Sequence, residues 1–247
     1  MLGLPKGIRG CLFDLDGVLT QTAKLHAAAW KQLFDSFLRE RARRTGVPFE
    51  PFDPVRDYDE FVDGKPREEG TRSFLAARRI QVPAGSADDS SDAETIRGLA
   101  NRKNEILLRL LRETGVVTYP GSIRYLRSAR AAGLRSAVVS SSRNCREVLV
   151  EAGIEDLFEV RVDGVSALEQ HLKGKPAPDS YLAAARALRL APAQCAVFED
   201  ALAGVEAGRA GEFGFVVGVD RRGEGQELGA HGADVVVNDL AHLLEAQ

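Results

Sequence analysis

Asp14 and Asp16 stand two residues apart in Phe13-Asp14-Leu15-Asp16-Gly17-Val18-Leu19-Thr20, directly after an apolar run through Ile8, Cys11 and Leu12. The run reads as a buried strand ending at the first aspartate, with a glycine turn behind the second. Two carboxylates this close raise one another's pKa unless a cation or a proton lies between them. Such an oxygen-rich pair suits a hard divalent cation such as Mg²⁺. Asp14 could then attack a phosphorus atom while Asp16 handles the proton of the leaving group. Taken alone, the same residues describe an ordinary acidic turn at a strand end.

Three later stretches decide between these readings. Ser140-Ser141-Ser142 close an apolar run that begins at Leu134, and Lys175 sits in Lys173-Gly174-Lys175-Pro176-Ala177-Pro178-Asp179 ahead of a helix. Glu199-Asp200 end the run Cys195–Phe198, with Gly204 beyond. Each has a bland reading as helix-capping serines, a surface lysine, or an acidic pair favoured by a helix dipole. In open parallel sheets, however, ligands bind beyond the carboxyl ends of the strands. Four polar stations in order at such ends describe one site, and their chemistry fits phosphoryl transfer. That reaction needs a nucleophile, positioning and charge neutralisation. Carboxylates supply a cation site, a serine hydroxyl and backbone N–H groups hold phosphate oxygens, and Lys175 balances charge.

The elements that must position these residues are legible as an alternation of strand and helix after residue 115. Pro120 opens a helix closed by Gly133, Leu134–Ser140 is strand-like, and Gly153 caps a helix through Val148 and Leu149. Val160–Val162, Cys195–Phe198, Phe215–Val219 and Asp234–Val237 read as strands; helices fall around Tyr181–Leu188 and Ala201–Ala210. The pattern predicts an α/β, doubly wound, Rossmann-like parallel sheet. Residues 22–115 are instead helical throughout. Leu25, Ala29, Trp30, Leu33, Phe34, Phe37 and Leu38 recur at helical spacing to about Arg44, and short helices are expected at Tyr58–Val62 and Glu68–Arg79. Ser91-Asp92-Ala93-Glu94 has the form of a capping box opening a long helix striped by Ile96, Leu99, Ile106, Leu107, Leu110 and Leu111. Two domains follow: a sheet core of residues 1–21 and 116–247, interrupted by a helical cap of residues 22–115.

Charge and cysteine usage narrow the function classes. Lys and Arg total 33 against 36 Asp and Glu, so the net charge is −3 and no basic field invites nucleic acid. The run Arg39–Arg44 is local and suits the last turn of a helix. Three widely spaced cysteines without a CxxC pair fit a reduced, cytoplasmic setting. Nothing at the N-terminus has a signal-peptide layout, and no apolar run approaches the ~18 residues of a membrane span.

The DxDGV motif at Asp14–Val18, the strand-end Ser140, Lys175 before Pro176-Ala177-Pro178-Asp179 and the pair Glu199-Asp200 resemble the four signatures of the haloacid dehalogenase superfamily. These are phosphotransferases that work through an aspartyl phosphate. Thr22, His26 and Trp30, Gly64-Lys65-Pro66-Arg67, Arg102-Lys103-Asn104 and Ser142-Arg143-Asn144 extend the resemblance to the β-phosphoglucomutase family, over nearly the whole chain. The resemblance implies Asp14 as nucleophile and Asp16 as general acid and base. It implies Mg²⁺ on Asp14, the Asp16 carbonyl, Glu199 and Asp200, with Ser140 and Lys175 on the transferring phosphoryl group. Arg67 would grip the distal phosphate, helped by Ser142 and Asn144, while His26 and Lys103, with Thr22 nearby, would tie cap closure to sugar recognition. Trp30 reads as cap core.

The substrate implied is a sugar phosphate, β-glucose 1-phosphate converted to glucose 6-phosphate by way of glucose 1,6-bisphosphate, on a monomer with neither nucleic acid nor membrane as partner. Residues 39–63 and 81–92 are longer than the compact family pattern, which leaves the motifs intact. A sugar-phosphate phosphatase uses the same aspartyl chemistry with water as acceptor. A phosphate-binding module with a decayed core is the rival from another class, and the intact Asp14, Asp16, Lys175 and Asp200 speak against it.

Overall fold

A computed structural model describes residues 2–86, 88–223 and 225–245. The chain divides into two compact units, residues 1–21 with 116–247, and residues 22–115.

Among the described residues the first unit is built on six short strands, β1 (Gly10–Phe13), β2 (Arg135–Val139), β3 (Val160–Val162), β4 (Cys195–Glu199), β5 (Phe215–Val219) and β6 (Val235–Val237). They form one parallel sheet in the order β3-β2-β1-β4-β5-β6. Near-continuous apolar sequence is what a parallel sheet covered on both faces requires. Every residue of β1 and β4 is accordingly buried. The helices α4 (Pro120–Ala131), α5 (Cys145–Glu151), α6 (Gly164–Glu169), α7 (Asp179–Ala187), α8 (Leu202–Ala210), α9 (Gly225–Ala230) and α10 (His242–Glu245) follow the strands. One core cluster joins Leu12, Ala137, Val139, Tyr181, Leu188, Val197 and Phe213. Phe13 stacks on Phe198 with ring centroids 4.4 Å apart, locking β1 beside β4. The sheet is the doubly wound, Rossmann-like arrangement that the alternation predicts.

The topology contains its own opening. The chain winds from β1 outward through β2 and β3, then returns to the other side of β1 to place β4. Where the winding reverses, the loops leaving two adjacent strands diverge, and a crevice forms beyond their carboxyl ends. Those two strands are β1 and β4.

The described residues of the second unit hold three longer helices, α1 (Ala23–Thr45), α2 (Arg67–Ala77) and α3 (Ile96–Thr114), with a wide helical turn at Tyr58–Val62. Its core is aromatic: Phe34 lies 4.1 Å from Phe74 and 5.2 Å from Trp30 by ring centroid, and Phe52 packs on both phenylalanines. Trp30 is 2% exposed, a core residue as expected. The long stretch after α1 is tied down by ions. Asp35 accepts from the Phe52 N–H at 2.9 Å and from Lys31, while Arg78 bridges Glu50 and Asp57 at 2.7 Å each.

One helix start differs from expectation. The capping box at Ser91–Glu94 does not open α3; Thr95 does, its Oγ1 accepting from the Gly98 N–H at 3.0 Å. The Glu94 carboxylate that would complete the box is taken by a two-pronged pair with Arg44. Thr95 Oγ1 in turn donates to Asp89 at 2.5 Å, which fixes the cap one turn later than the motif suggests.

Candidate active site

Asp14 is the first residue past β1, and its N–H donates to the Phe198 carbonyl at 3.0 Å, so it sits level with the end of β4. Glu199 ends β4 and Asp200 follows. Oxygen atoms of Asp14, Glu199 and Asp200 lie within 4.8 Å of one another, and all three residues are buried or nearly so. The sheet register thus brings together carboxylates 185 positions apart in the chain.

Two glycines make room for them. Gly17 has φ +88, and a Cβ there would stand 1.7 Å from Asp200 Oδ2. A Cβ on Gly204 would stand 1.9 Å from the Glu199 carboxyl. Close approach of backbone to a functional carboxylate is the reason for glycine at both places. Asp16 shares the turn with Gly17, in a bridge to Thr20, and is half-buried.

Lys175 is 2% exposed, which removes the surface-lysine reading. Its ammonium donates to Asp14 Oδ1 at 2.5 Å and to Glu199 Oε1, and it lies over the Tyr181 ring. Burial alone would discharge the ammonium, but Asp14 and Glu199 outweigh that and raise its pKa above the ordinary lysine value. Asp14 shows the complementary imbalance. Desolvation holds its carboxyl well above the usual range; Lys175 pulls it down, and Glu199 and Asp16 push it back up. One ammonium faces several carboxylates. The donor set is all oxygen, buried and net negative, which fits a hard divalent cation beside Asp14.

Ser140, at the end of β2, is buried, and its Oγ accepts from the Ser142 N–H at 3.1 Å. The Ser142 Oγ accepts from the Asn144 N–H at 3.1 Å, and Asn144 stands at the start of α5. These are local serine turns rather than the helix caps of the bland reading, since the N-cap position of α5 falls to Asn144. A hydroxyl that accepts still has its O–H to donate, so both serines retain a hydrogen for a phosphate oxygen.

The remaining sequence-predicted residues belong to the helical unit. Thr22 is buried at the N-terminus of α1, and His26 lies one turn on. His26 Nδ1 is 3.1 Å from Lys103 Nζ, and that ammonium stands 5.0 Å over the Trp30 ring. Arg67 opens α2 directly after Pro66, and its Nη2 donates to Asn101 Oδ1 at 3.5 Å. His26 and Lys103, 77 positions apart, are therefore brought together.

Tyr181 is a residue that reading of the sequence misses. Its apolar helical spacing is genuine, since it is wholly buried, but its hydroxyl donates to Glu199 Oε1 at 2.7 Å. Buried tyrosines need a partner for the hydroxyl, and a tyrosine six residues after the lysine of a KPxPD motif, in the first turn of α7, is the signal that could have found it. The three cysteines have no such role. All are buried and unpaired, and burial raises each thiol, Cys195 to about 11.

Comparison with known proteins agrees in direction. The sequence pattern of the haloacid dehalogenase-like hydrolases matches residues 8–212. The β-phosphoglucomutase of Mycobacterium tuberculosis is 58% identical over 247 residues, spanning 99% of this chain and 94% of its own length. That of Bacillus subtilis is 35% identical over 96% of this chain and 92% of its own. Among solved structures, a β-phosphoglucomutase from Clostridium difficile superposes with a TM-score of 0.73 at 27% identity, covering 96% of this chain and 93% of that one.

Proposed function

The chain belongs to the haloacid dehalogenase-like hydrolases and within them to the β-phosphoglucomutase family, and from that membership we propose a mutase interconverting β-D-glucose 1-phosphate and glucose 6-phosphate. The observation that carries it is the buried Lys175 ammonium between Asp14 and Glu199. It holds a carboxylate nucleophile in place while leaving the site net negative.

In the first half-reaction the 6-hydroxyl of β-glucose 1-phosphate attacks the phosphorus carried on Asp14. The Asp14–phosphorus bond breaks, a carbon-oxygen-phosphorus linkage forms at C6, and Asp16 takes the hydroxyl proton. The resulting glucose 1,6-bisphosphate turns over. Asp14 then attacks the phosphorus at C1, and Asp16 returns the proton to the departing oxygen, leaving glucose 6-phosphate and the aspartyl phosphate. Ser140 and Lys175 donate to the oxygens of the transferring group. Asp14, the Asp16 carbonyl, Glu199 and Asp200 would hold Mg²⁺, whose charge offsets that of the phosphoryl oxygens and the carboxylates together. Arg67, Ser142 and Asn144 grip the distal phosphate, while Thr22, His26 and Lys103 serve sugar recognition.

A single chain suffices as the working unit, since Asp14, Asp16, Ser140, Lys175, Glu199 and Asp200 all belong to the one sheet-built unit. Among the described residues no helix is long and apolar enough to cross a membrane. With three unpaired thiols, this supports a cytoplasmic enzyme.

Phosphatase action would follow from the same aspartyl phosphate if water replaced the sugar hydroxyl. Phosphorus NMR of enzyme, β-glucose 1-phosphate, Mg²⁺ and a trace of the bisphosphate separates the two. A mutase yields glucose 6-phosphate well ahead of free phosphate; phosphate as the main product moves the reading to a phosphatase.

A further inference from the structure

Arg221 lies just past the carboxyl end of β5, and its side chain is 13% exposed. Its guanidinium reaches the turn that carries Asp16. Nε donates to the Gly17 carbonyl at 2.9 Å and Nη2 to the Val18 carbonyl at 3.3 Å. The fork is held from behind as well: Nη2 donates to Ser122 Oγ at 3.1 Å and Nη1 to the Asn238 carbonyl at 2.7 Å. The guanidinium carbon stands 3.6 Å over the Tyr119 ring centroid, and Asp239 lies 3.7 Å from Nη1. This is a planar cation in a fixed slot, a role a lysine cannot fill with equal geometry.

The turn it grips is closed on one side by its own bonds. Leu19 and Thr20 N–H groups and the Thr20 hydroxyl all donate to the Leu15 carbonyl, and the Gly17 N–H donates to the Thr20 carbonyl at 2.7 Å. The weak point is Gly17, at φ +88, where no side chain resists rotation of the peptide. Rotation there would move the backbone behind Asp16 and press against Asp200, which occupies the space a Cβ would take. Bonds from Arg221 to two successive carbonyls supply the missing restraint.

We propose that Arg221 is a positioning residue for the phosphoryl transfer. By holding the Gly17 and Val18 carbonyls it fixes the peptide behind Asp16, and so aims the Asp16 carboxyl at the oxygen whose proton it moves. The inference rests on the acid-base role given to Asp16 above. Misplacing such a group by about 1 Å can cost about 10²-fold in rate.

Two measurements on wild type, Arg221→Ala and Arg221→Lys test it. One is mutase turnover of β-glucose 1-phosphate with trace bisphosphate. The other is single-turnover phosphorylation of Asp14 by acetyl phosphate in a rapid quench, where acetate leaves without needing a proton from Asp16. Arg221→Ala should lower mutase kcat by about 30- to 100-fold. Its KM and the acetyl phosphate step should stay within about threefold of wild type. Arg221→Lys should recover part of kcat, since an ammonium keeps the charge and one of the two bonds. Equal losses in both assays, or wild-type mutase kcat in Arg221→Ala, would overturn the proposal. Should Arg221→Ala fail to fold, Arg221→Lys carries the same comparison. Wild type run alongside keeps the readings apart. If wild type releases phosphate without making glucose 6-phosphate, the mutase reading fails. Arg221 is then judged by the same two assays with sugar-phosphate hydrolysis in place of mutase turnover, because Asp16 still has a proton to move.

Discussion

Each unit of this chain buries one lysine almost completely, and the company each keeps is different. Lys175, 2% exposed, stands between two carboxylates at the strand ends, with the Tyr181 ring at 5.1 Å. Lys103, 3% exposed, stands against the His26 imidazole and 5.0 Å over the Trp30 ring. The first lysine is held by opposite charge shared between two carboxylates, so removing the ammonium would leave both of them stranded. The second is held partly by aromatic faces, which attract a cation far less strongly than a carboxylate does. Strong, fixed charge suits chemistry on a phosphoryl group. Softer contacts suit a surface that must meet a substrate and release it.

The sharpest way to test that contrast is to remove charge from the strand-end cluster. Asp14→Asn should lower mutase turnover by more than about a thousandfold, since the amide is a poor nucleophile. The fold should survive. Desolvation raises the Asp14 pKa above its unfolded value even with Lys175 beside it, so the ionised carboxylate lowers stability at neutral pH when no metal ion is bound. In the absence of Mg²⁺, Asp14→Asn should therefore melt no lower than wild type, measured by circular dichroism at pH 7. The wild type alone should gain from lowering the pH towards the unfolded Asp value. A variant keeping a tenth of wild-type turnover would end the aspartyl-phosphate mechanism.

Asp16→Asn should cost about 10²–10⁴ in rate with sugar leaving groups. Phosphorylation by p-nitrophenyl phosphate should suffer less, because its leaving group needs little help from an acid. Stopped-flow traces with both substrates check this, and equal losses would remove Asp16 from the acid role. Lys175→Met comes next, at about 10²–10³ in kcat. It leaves Asp14 and Glu199 facing each other without their shared cation, so a fall in melting temperature should accompany the loss. Lys103→Met, by the same comparison, should act mainly through KM. If Lys103→Met lowered kcat as far as Lys175→Met does, the contrast between the two lysines would collapse.

The strand-end half of this picture was legible because strands and their ends obey simple local rules. Apolar runs bounded by Asp14, Ser140 and Glu199 mark β1, β2 and β4, and the doubly wound order then places their ends together. The helices of the second unit are legible from apolar spacing, but the roles of His26, Lys103 and Arg67 rest on resemblance, since spacing says only which face of a helix is buried. What escaped was what depends on tertiary contact. Arg44 captures Glu94 from 50 positions away and moves the cap of α3 to Thr95. The Tyr181 hydroxyl finds Glu199 only once β4 lies beside α7's strand partners. Arg221 reaches Gly17 from 204 positions away, a partnership with no local signature.

Arg67→Ala is the smallest of these effects on rate and the one that bears on what the helical unit is for. Arg67 follows Gly64, at φ +69, and Pro66, and opens α2, so the turn before it sets the direction of its side chain. A bisphosphate must present each end in turn to Asp14, and the end not reacting needs an anchor of its own. A guanidinium binds phosphate through two parallel N–H donors and stays charged at any working pH. Removing it should depress mutase kcat/KM by about 10- to 100-fold, the range of one lost charge-assisted pair. Hydrolysis of acetyl phosphate, which has no second phosphate to hold, should stay near wild type. The ratio of free phosphate to glucose 6-phosphate should rise, because water gains on a sugar that is held less firmly over the aspartyl phosphate. Both products are read in one phosphorus NMR sample. An unchanged ratio with an unchanged mutase rate would assign Arg67 to the ordinary business of starting a helix, and would leave the softer contacts of Lys103 and His26 to carry substrate recognition without it.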